Sequence, residues 1–482
     1  MQYPQIQRII GILLMLFSTS MLPSAGVGWF YGEHAREAFV TGFLITFAFG
    51  FLAWLPVRGR RNELRTRDGY LITVLFWLVL GLFGAVPLYL LDMPDLSVAN
   101  AVFESFSGLT TTGATVITGL DTLPRALLFY RQQLQWFGGM GIIVLAVAIL
   151  PLLGVGGMQL YRAEMPGPLK ENKLTPRIAE TAKVLWLIYT GLTVACALAY
   201  WAAGMEPFDA IGHSFSTVAI GGFSTHDLSI GYYDSPLIEL ICMVFLVISG
   251  INFALHFLAW RFRSLKSYWH DPECRSYLLI LVALFVVCCA MLIHVEYYDT
   301  WTSIRYGAFQ TISIATTAGF SVTDFSVWPT VLPFLLLYAS FIGACAGSTG
   351  GGMKVIRVIL LYKQGTRETK RLLHPHGVFP VKLGNKPVPD RVVEAVWGFC
   401  AVYVFAFAVM FLILLGTGLD FVTAFSALAA CINNLGPGLG DVSAHYGDLS
   451  ATVKWILSFA MLLGRLEVFT LIILLTPMFW RR

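Results

Sequence analysis

SGLTTTGATV, residues 107–116, is a short polar stretch in a chain that otherwise consists largely of long apolar runs. The chain has 482 residues, of which 57% are hydrophobic and 12% charged, whereas soluble proteins carry about 25% charged residues. A membrane span needs about 20 largely apolar residues, and such runs recur along the whole sequence. The composition therefore predicts a polytopic membrane protein, whose first run is a retained helix rather than a removed signal peptide.

Basic residues are concentrated in four segments, although the net charge is only +4. These segments are residues 58–67, 162–177, 261–275 and 354–391. By the positive-inside rule, they face the cytoplasm. Residues 204–239 contain five acidic residues and no Lys or Arg, so we expect this segment outside, where its charge concentrates cations.

The number of crossings between the first two basic segments decides where the polar stretch lies. Two long apolar runs, residues 70–91 and 127–153, and one short run, residues 100–109, separate these segments. If both basic segments are cytoplasmic, only the two long runs cross the membrane. The short run must then enter from outside and return, which is tolerated only where the backbone is buried in protein or lines a cavity. The polar stretch is therefore predicted to line a pore.

The same arrangement recurs four times, as internal repeats do. FSGLTTTGAT (106–115), FSTVAIGGFS (215–224), ISIATTAGFS (312–321) and AACINNLGPG (429–438) each place a glycine at the eighth position. We predict an all-α polytopic membrane protein, with two leading helices followed by four fused helix–pore loop–helix units around a central pore. The leading helices occupy residues 1–57, and the units occupy residues 68–161, 178–263, 274–362 and 390–482.

Four such loops suit a potassium filter, in which rings of backbone carbonyls replace the hydration shell of the ion. Glycine permits the required backbone conformation, and the negative C-terminal ends of the short helices favour a cation on the axis. The alternative is that these glycines only pack ordinary spans together; their common register in four loops favours the filter. The residues expected to form it are Thr111, Thr112, Gly113, Ile220, Gly221, Gly222, Thr317, Ala318, Gly319, Asn434, Leu435 and Gly436.

Residues 331–361 form an apolar run longer than a span requires, and its middle reads GACAGSTGGGMK (343–354). The segment lacks the Gly-Lys-[Ser/Thr] of a phosphate-binding loop, and no strand precedes it. Its glycines and hydroxyls predict a break in the helix within the membrane, beside a cavity. A kinked helix packed on a neighbouring helix is the alternative.

Arg465 lies deep in the last apolar run, where ionisable residues are costly and commonly functional. Glu467 is two residues further on and faces nearly the opposite side of a helix. We hypothesise that Arg465 faces the cavity below the filter and raises the barrier to cations. The alternative is a structural pair with an acidic residue on another helix.

The whole chain resembles the TrkH-like membrane subunits of Trk potassium uptake systems. The resemblance rests on the four glycine-containing repeats, on residues 129–168, on AGSTGGGMKVIR (346–357) and on GRLEVFTL (464–471). It implies a K+-preferring filter and a pore barrier at Arg465. It also implies a gate formed by Gly347, Ser348, Thr349, Gly350, Gly351, Gly352 and Lys354.

The resemblance further implies a place in the bacterial inner membrane, a homodimer and a TrkA-like cytosolic regulatory subunit with nucleotide-binding domains. K+ is then the transported ion, and no organic cofactor is expected. The fourth repeat departs from the threonine pattern, with Asn433, Asn434 and Leu435. This departure makes the filter asymmetric and predicts looser discrimination between K+ and Na+.

Enzymatic and nucleic-acid functions find no support in the motifs. The chain has no H-E-x-x-H or G-x-S-x-G motif, and its cysteines are expected to be buried, reduced thiols. His213 and His226 flank the second repeat and are interpreted as hydrogen-bonding residues. Two alternatives to a gated K+ pore stay open: a symporter coupling K+ to H+ or Na+, for which Glu104 is the best coupling residue, and a sensor that has lost conduction.

Overall fold

Helices make up nearly all of the regular structure in the computed structural model, which describes residues 1–59, 64–141, 178–329, 331–384, 386–466 and 468–481. One two-stranded antiparallel sheet pairs β1 (Lys382–Leu383) with β2 (Lys386–Pro387). The helices of the first half are α1 (Tyr3–Ser18), α2 (Met21–Phe30), α3 (Ala35–Trp54), α4 (Thr66–Tyr89), α5 (Val98–Leu109), α6 (Arg125–Gly139), α7 (Ile178–Ala202), α8 (Pro207–Val218), α9 (Pro236–Ser249) and α10 (Phe253–Phe262).

The second half continues the same pattern of long and short helices. Short 3-10 turns connect several of them, at Leu55–Val57, Leu120–Thr122, Ser229–Tyr233, Phe325–Val327 and Gly440–Val442. The helices are α11 (Lys266–His270), α12 (Pro272–His294), α13 (Thr300–Ala315), α14 (Leu332–Ile342), α15 (Val355–Leu373), α16 (Asp390–Gly416), α17 (Phe421–Ile432), α18 (Ala451–Arg465), α19 (Phe469–Leu475) and α20 (Pro477–Trp480).

The leading segment forms two apolar spans, as predicted. Helices α1 and α2 act as one span, Tyr3–Phe30, and α3 returns antiparallel to it. The return is close because glycines meet at the crossing: a Cβ added to Gly11 would lie 2.8 Å from the Gly50 carbonyl oxygen. Small residues at such crossings let two helix backbones approach in a membrane protein.

Four helix–short helix–helix units follow, which confirms the predicted all-α polytopic architecture. Their short helices are α5, α8, α13 and α17. In the part of the chain that the structure describes, six helices are long and apolar enough to span a membrane, or seven if α9 and α10 are counted as one bent span. The second half of the predicted span 127–153 and the basic segment 162–177 lie outside the described residues.

The short helices occupy the centre of the molecule, and the long helices surround them. In α17, every side chain from Thr423 to Ile432 is buried except the half-buried Phe425. In the neighbouring α16, Val404, Phe405 and Leu412 are exposed. A large exposed apolar surface of this kind is suited to contact with lipid. The short helices are therefore enclosed by the membrane-spanning helices.

Two helices that the sequence predicts to be continuous are broken. The predicted helix 237–260 is interrupted between α9 and α10, which meet at 92°. The Gly250 carbonyl accepts the Cys345 N–H at 3.0 Å instead of continuing its helix, and the Asn252 side chain caps α10. The predicted helix 453–479 ends at Arg465, and Val468 has a left-handed φ of 55°. The first break depends on a tertiary contact that helix periodicity does not report.

The predicted break in the run 331–361 is confirmed, because residues 343–354 form no helix between α14 and α15. We refer to these residues as the 343–354 loop. All eight cysteines are free, and seven of them are buried, in agreement with the expectation of reduced structural thiols.

Candidate ion-conduction site

Each short helix leads directly into one of the four repeated stretches, which we call glycine loops 1 to 4. They are residues 106–115, 215–224, 312–321 and 429–438, numbered below as positions 1 to 10. In every unit the short helix ends at position 4, which is Leu109, Val218, Ala315 or Ile432. The four helix C-termini, with their partial negative charge, therefore lie at equivalent places.

The backbone of the four glycine loops is the same even though the side chains differ. In each loop the N–H of position 7 donates to the carbonyl of position 2, with a donor–acceptor distance of 2.8 Å in all four. Positions 6 and 8 have left-handed φ angles. The values are 55° and 81° at Thr111 and Gly113, 54° and 80° at Ile220 and Gly222, 70° and 81° at Thr317 and Gly319, and 54° and 101° at Asn434 and Gly436.

A left-handed φ at position 6 is costly, since three of the four residues there are β-branched. Thr111, Ile220 and Thr317 adopt it nonetheless, and Asn434 does so in loop 4. Residues persist in such conformations only when the surrounding structure imposes them, which is common at functional sites. The shared conformation is thus a property of the fourfold assembly rather than of local preference.

The position 8 glycines close the four loops into a ring. A Cβ on Gly113 would overlap the Gly221 carbonyl oxygen, one on Gly222 that of Ala318, and one on Gly319 that of Leu435. A Cβ on Gly436 would lie 2.8 Å from the Thr112 carbonyl oxygen, which returns to loop 1. Each glycine therefore abuts position 7 of the next loop, and the cyclic order places all four loops around one axis. This ring contains all twelve predicted filter residues.

Loop 4 is held by its asparagines. The Asn433 amide donates to Ser340 Oγ at 3.1 Å, and its oxygen accepts from the Tyr403 hydroxyl at 2.6 Å. The Asn434 amide donates to Thr112 Oγ1 and to the Met461 carbonyl, both at 3.0 Å. Both side chains are buried. They cross-link loop 4 to its neighbours, at the two positions where the other loops have Thr, Ala or Ile.

Loop 2 is held by a glutamine that the sequence analysis missed. Gln135 of α6 donates to the Gly221 carbonyl at 2.6 Å and accepts the Phe223 N–H at 3.0 Å. The side chain is fully buried. The stretch RQQLQ in the middle of an apolar run could have indicated this residue, because buried polar side chains in a membrane protein must find hydrogen-bond partners.

The 343–354 loop lies against the ring on the side of the short-helix C-termini. The Gly351 N–H donates to Thr317 Oγ1 at 2.6 Å, and the Gly352 N–H donates to the Asn433 carbonyl at 3.0 Å. Thr349 Oγ1 donates to the Val218 carbonyl at 2.9 Å. These partners belong to glycine loops 3, 4 and 2, at positions 6, 5 and 4. The predicted gate residues are thus packed directly beneath the predicted filter.

Two cations hold the 343–354 loop. Lys354 Nζ donates to the Gly350 carbonyl, and Lys354 itself has a left-handed φ of 79°. Arg465 Nη1 donates to the Thr349 carbonyl at 3.3 Å, and its Nη2 donates to the Gly138 carbonyl. The predicted deep cation therefore joins α6, α18 and the 343–354 loop. Glu467, its near neighbour in the sequence, lies outside the described residues.

The twelve residues of the ring carry no charged side chain. Within the described ranges no group of three or more His, Cys, Asp or Glu side chains is placed to hold a metal ion. Backbone carbonyls and threonine hydroxyls suit an alkali cation that must bind and leave quickly. Glu104, the predicted coupling residue, is fully buried beside Arg131, with 2.7 Å between its Oε1 and the Arg131 Nε.

Comparison with known proteins assigns the family. Residues 35–482 match the TrkH family model, described as a cation transport protein. The chain belongs to the TrkH family. It is 60% identical over 482 residues to the Trk system potassium uptake protein TrkH of Halomonas elongata, covering 100% of both chains. The TrkG protein of Escherichia coli, also named a Trk system potassium uptake protein, is 43% identical over 476 residues, covering 99% of this chain and 98% of TrkG.

The fold of this TrkH family member also matches a solved structure. The crystal structure of the potassium transporter TrkH from Vibrio parahaemolyticus superposes with a TM-score of 0.91 at 57% identity, covering 100% of both chains. The apolar spans and the family membership together make the protein a multi-pass inner membrane protein. The resemblance inferred from the four repeats is therefore confirmed at the level of family and fold.

Proposed function

We propose that this protein lets K+ enter the cell through a pore on the axis of the four glycine loops. The observation that carries the proposal is the closed ring, in which each position 8 glycine abuts the position 7 carbonyl of the next loop. A potassium filter needs such a ring, because carbonyl oxygens from four loops must replace the hydration shell of the ion. The family membership supports the same transported ion, since the relatives are named potassium uptake proteins.

The proposed filter comprises positions 6 to 8 of every loop. Positions 6 and 8 have left-handed φ angles in all four loops. This conformation allows the carbonyls of adjacent residues to point in the same direction. Loop 4 differs from the other three loops, because its Asn434 amide donates hydrogen bonds to the Thr112 hydroxyl and the Met461 carbonyl. Looser discrimination between K+ and Na+ than in a filter of four identical loops remains our prediction.

The 343–354 loop is the proposed gate, and Gly347, Ser348, Thr349, Gly350, Gly351, Gly352 and Lys354 are its proposed working residues. Support comes from its position against three glycine loops and from its hydrogen bonds, most of which run from or to backbone atoms. Residues 347–352 carry no large apolar side chain, so this part of the segment can move without repacking the hydrophobic core. Arg465 adds a positive charge beside it, which opposes the passage of cations.

Inward K+ movement needs no separate energy source while the electrochemical gradient points inward. A membrane potential contributes about 2.3 kcal/mol per charge per 100 mV. Control is then the task of a partner, and we propose a TrkA-like cytosolic subunit with nucleotide-binding domains acting on a homodimer of this chain. Its proposed docking segments are residues 363–391 and 162–177, of which the latter lies outside the described residues.

Ion flux in liposomes tests the proposal. We expect purified protein to admit radioactive rubidium in competition with K+, to admit less Na+, and to do so faster or slower when the cytosolic subunit is added. Protein-free liposomes and liposomes containing the Gly113→Ser variant are the matched controls. Flux no greater than in protein-free liposomes would contradict conduction and favour the sensor alternative.

Coupled symport has less support from the geometry. The carboxylate expected to carry the coupling, Glu104, is committed to an ion pair with Arg131 and to hydrogen bonds with Thr115 and Val116. Reversal potentials measured across K+, Na+ and pH gradients separate the two functions. A pore predicts that reversal follows the gradients of the permeant cations without a fixed stoichiometry, whereas symport predicts a shift with the coupling ion.

A further inference from the structure

One buried ion pair stands directly behind the ring, between glycine loops 1 and 2. Arg131 on α6 is 1% exposed and Glu104 on α5 is fully buried, and they are joined at 2.7 Å from Nε to Oε1. Burying two charges costs solvation free energy that their attraction does not always recover, and an apolar pair is often equally stable. Stability alone therefore does not account for a buried ion pair at this position.

The carboxylate of Glu104 is bound to the part of loop 1 that follows its glycine. It accepts the Thr115 hydroxyl at 3.0 and 3.1 Å on its two oxygens. It also accepts the Val116 N–H at 2.9 Å. Thr115 is two residues beyond Gly113, so this side chain helps to hold the loop 1 backbone outside the ring.

The guanidinium of Arg131 extends the link to loop 2. Its Nη2 donates to Thr115 Oγ1 at 3.0 Å, and its Nη1 donates to the Ser224 carbonyl at 3.2 Å. The charge also lies 4.2 Å from the centre of the Phe223 ring. Thr115 and Ser224 both occupy position 10, two residues beyond Gly113 and Gly222. One planar, charged fork therefore joins equivalent positions of two adjacent loops.

The equivalent site is different in each of the other units. The residue two places before position 1 is Glu104, His213, Gln310 or Ala427 in the order of the units. His213 Nε2 is 2.9 Å from Ser224 Oγ, and Gln310 Oε1 accepts the Val322 N–H at 3.3 Å. Hydrogen bonds that involve ions are shorter and stronger than neutral ones. The brace is thus an ion pair at unit 1, whereas unit 4 has Ala427 at this position and uses the neighbouring Ser426, which is hydrogen-bonded to Leu439.

We infer that Arg131 and Glu104 are positioning residues for ion selection, which hold the seam between glycine loops 1 and 2 at the spacing that favours K+ over Na+. The inference rests on the proposed function, because it assumes that the ring is the filter. The seam is the place where Gly113 abuts the Gly221 carbonyl, so a change in loop separation there alters the distance between carbonyl oxygens of two loops. Discrimination between ions of different size depends on that distance and on the flexibility of the ring.

Selectivity measured in paired variants tests the inference. Arg131→Lys keeps the charge but loses the rigid fork that reaches two loops at once. Glu104→Gln keeps the shape and loses the charge. We expect each to reduce the ratio of rubidium uptake to Na+ uptake by about fivefold, the scale of one lost charge-assisted hydrogen bond. The matched control is Arg125→Gln on the same helix, which removes the partly exposed outer ion pair with Glu206 and should leave the ratio unchanged.

A merely structural role predicts a different result. It would lower the amount of folded protein and the total flux in proportion, with the ratio per folded molecule unchanged, and that outcome overturns the inference. The double variant Glu104→Gln with Arg131→Gln removes both charges, so no unpaired buried ion remains to prevent folding. A normal ratio in that variant also overturns the inference. If Gly113→Ser leaves the ratio unchanged as well, the filter proposal itself fails; if it lowers the ratio while the Arg131 and Glu104 variants do not, only the inference fails.

Discussion

The ring of glycine loops and the 343–354 loop touch each other, yet they are built in opposite ways. The ring repeats one backbone four times, with the same hydrogen bond of 2.8 Å and the same two left-handed positions. The 343–354 loop exists once, and its bonds reach a different position in each glycine loop: the hydroxyl of Thr317 at position 6, and the carbonyls of Asn433 at position 5 and Val218 at position 4.

This difference separates two tasks that a regulated pore must combine. A ring of equivalent contacts resists displacement, because moving one loop breaks the contacts with both neighbours. A single loop with unequal, mostly backbone contacts can leave as a unit while the ring stays closed. We therefore expect changes in the ring to alter which ion passes, and changes in the 343–354 loop to alter how often ions pass.

The largest effect is expected from Gly113→Ser. Its side chain would overlap the Gly221 carbonyl and would require a left-handed φ that serine rarely adopts. Overpacking of this kind costs about 1–3 kcal/mol, so the ratio of rubidium to Na+ uptake should fall by about tenfold or more. Competition assays in proteoliposomes measure it. The control is Gly191→Ala, where nothing lies within 4 Å of the added carbon; a normal ratio in Gly113→Ser removes this glycine from ion selection.

Gly351→Ala should show the contrasting behaviour. A Cβ at Gly351 would overlap the Asn433 carbonyl, which pushes the 343–354 loop away from the ring. We expect basal rubidium flux without a cytosolic partner to rise by about tenfold, on the basis of about 1.4 kcal/mol of lost closed-state stability, with selectivity preserved. Gly365→Ala on α15, with open space around it, is the matched control. Loss of selectivity with unchanged flux would reverse the assignment of the two regions.

Arg465→Ala should raise conduction to a smaller extent. Its guanidinium donates to the carbonyls of Thr349 and Gly138, so its removal takes away both a positive charge beside the proposed gate and a restraint on the 343–354 loop. An interaction of about 1 kcal/mol in a hydrated cavity corresponds to about fivefold. Single-channel conductance is the measurement, and an unchanged or smaller current would show that Arg465 is no barrier.

The smallest effect concerns a link between units 1 and 2 that belongs to neither region. His226 is hydrogen-bonded to Asp209 and Asp121, which belong to units 2 and 1. Burial disfavours the charged imidazole, but the bonds to Asp209 and Asp121 outweigh burial and raise the pKa of His226 above its ordinary value. The stabilisation is complete below about pH 6.5, the ordinary value, and is lost as the pH rises through the raised pKa.

Thermal unfolding in detergent measures this link. We expect the Tm to fall by about 1–2 °C more between pH 6 and pH 9 in the wild-type protein than in His226→Gln. His34→Gln, which changes a largely exposed histidine, should retain the wild-type pH dependence. Identical pH profiles for wild type and His226→Gln would show that the link contributes no stability.

Much of the architecture could be predicted from the sequence because its causes are local. Apolar runs of span length, clusters of basic residues and glycines at the eighth position of four repeats are all visible in one chain. Breaks within helices were harder to predict from the sequence. The glycine-rich composition of residues 343–354 predicts the break there, whereas the break at Gly250 depends on a hydrogen bond from Cys345.

The sequence by itself therefore determined the class of protein, the fourfold repeat and the candidate residues of the ring and gate. Only the tertiary structure decided the cyclic order of the loops, the ion pair of Glu104 with Arg131 and the partners of the asparagines in loop 4. The physical reason is separation along the chain: Asn434 bonds to Thr112 across 322 residues, and Arg465 bonds to Gly138 across 327 residues. Such contacts are set by how the four units pack, which no local pattern of residues encodes.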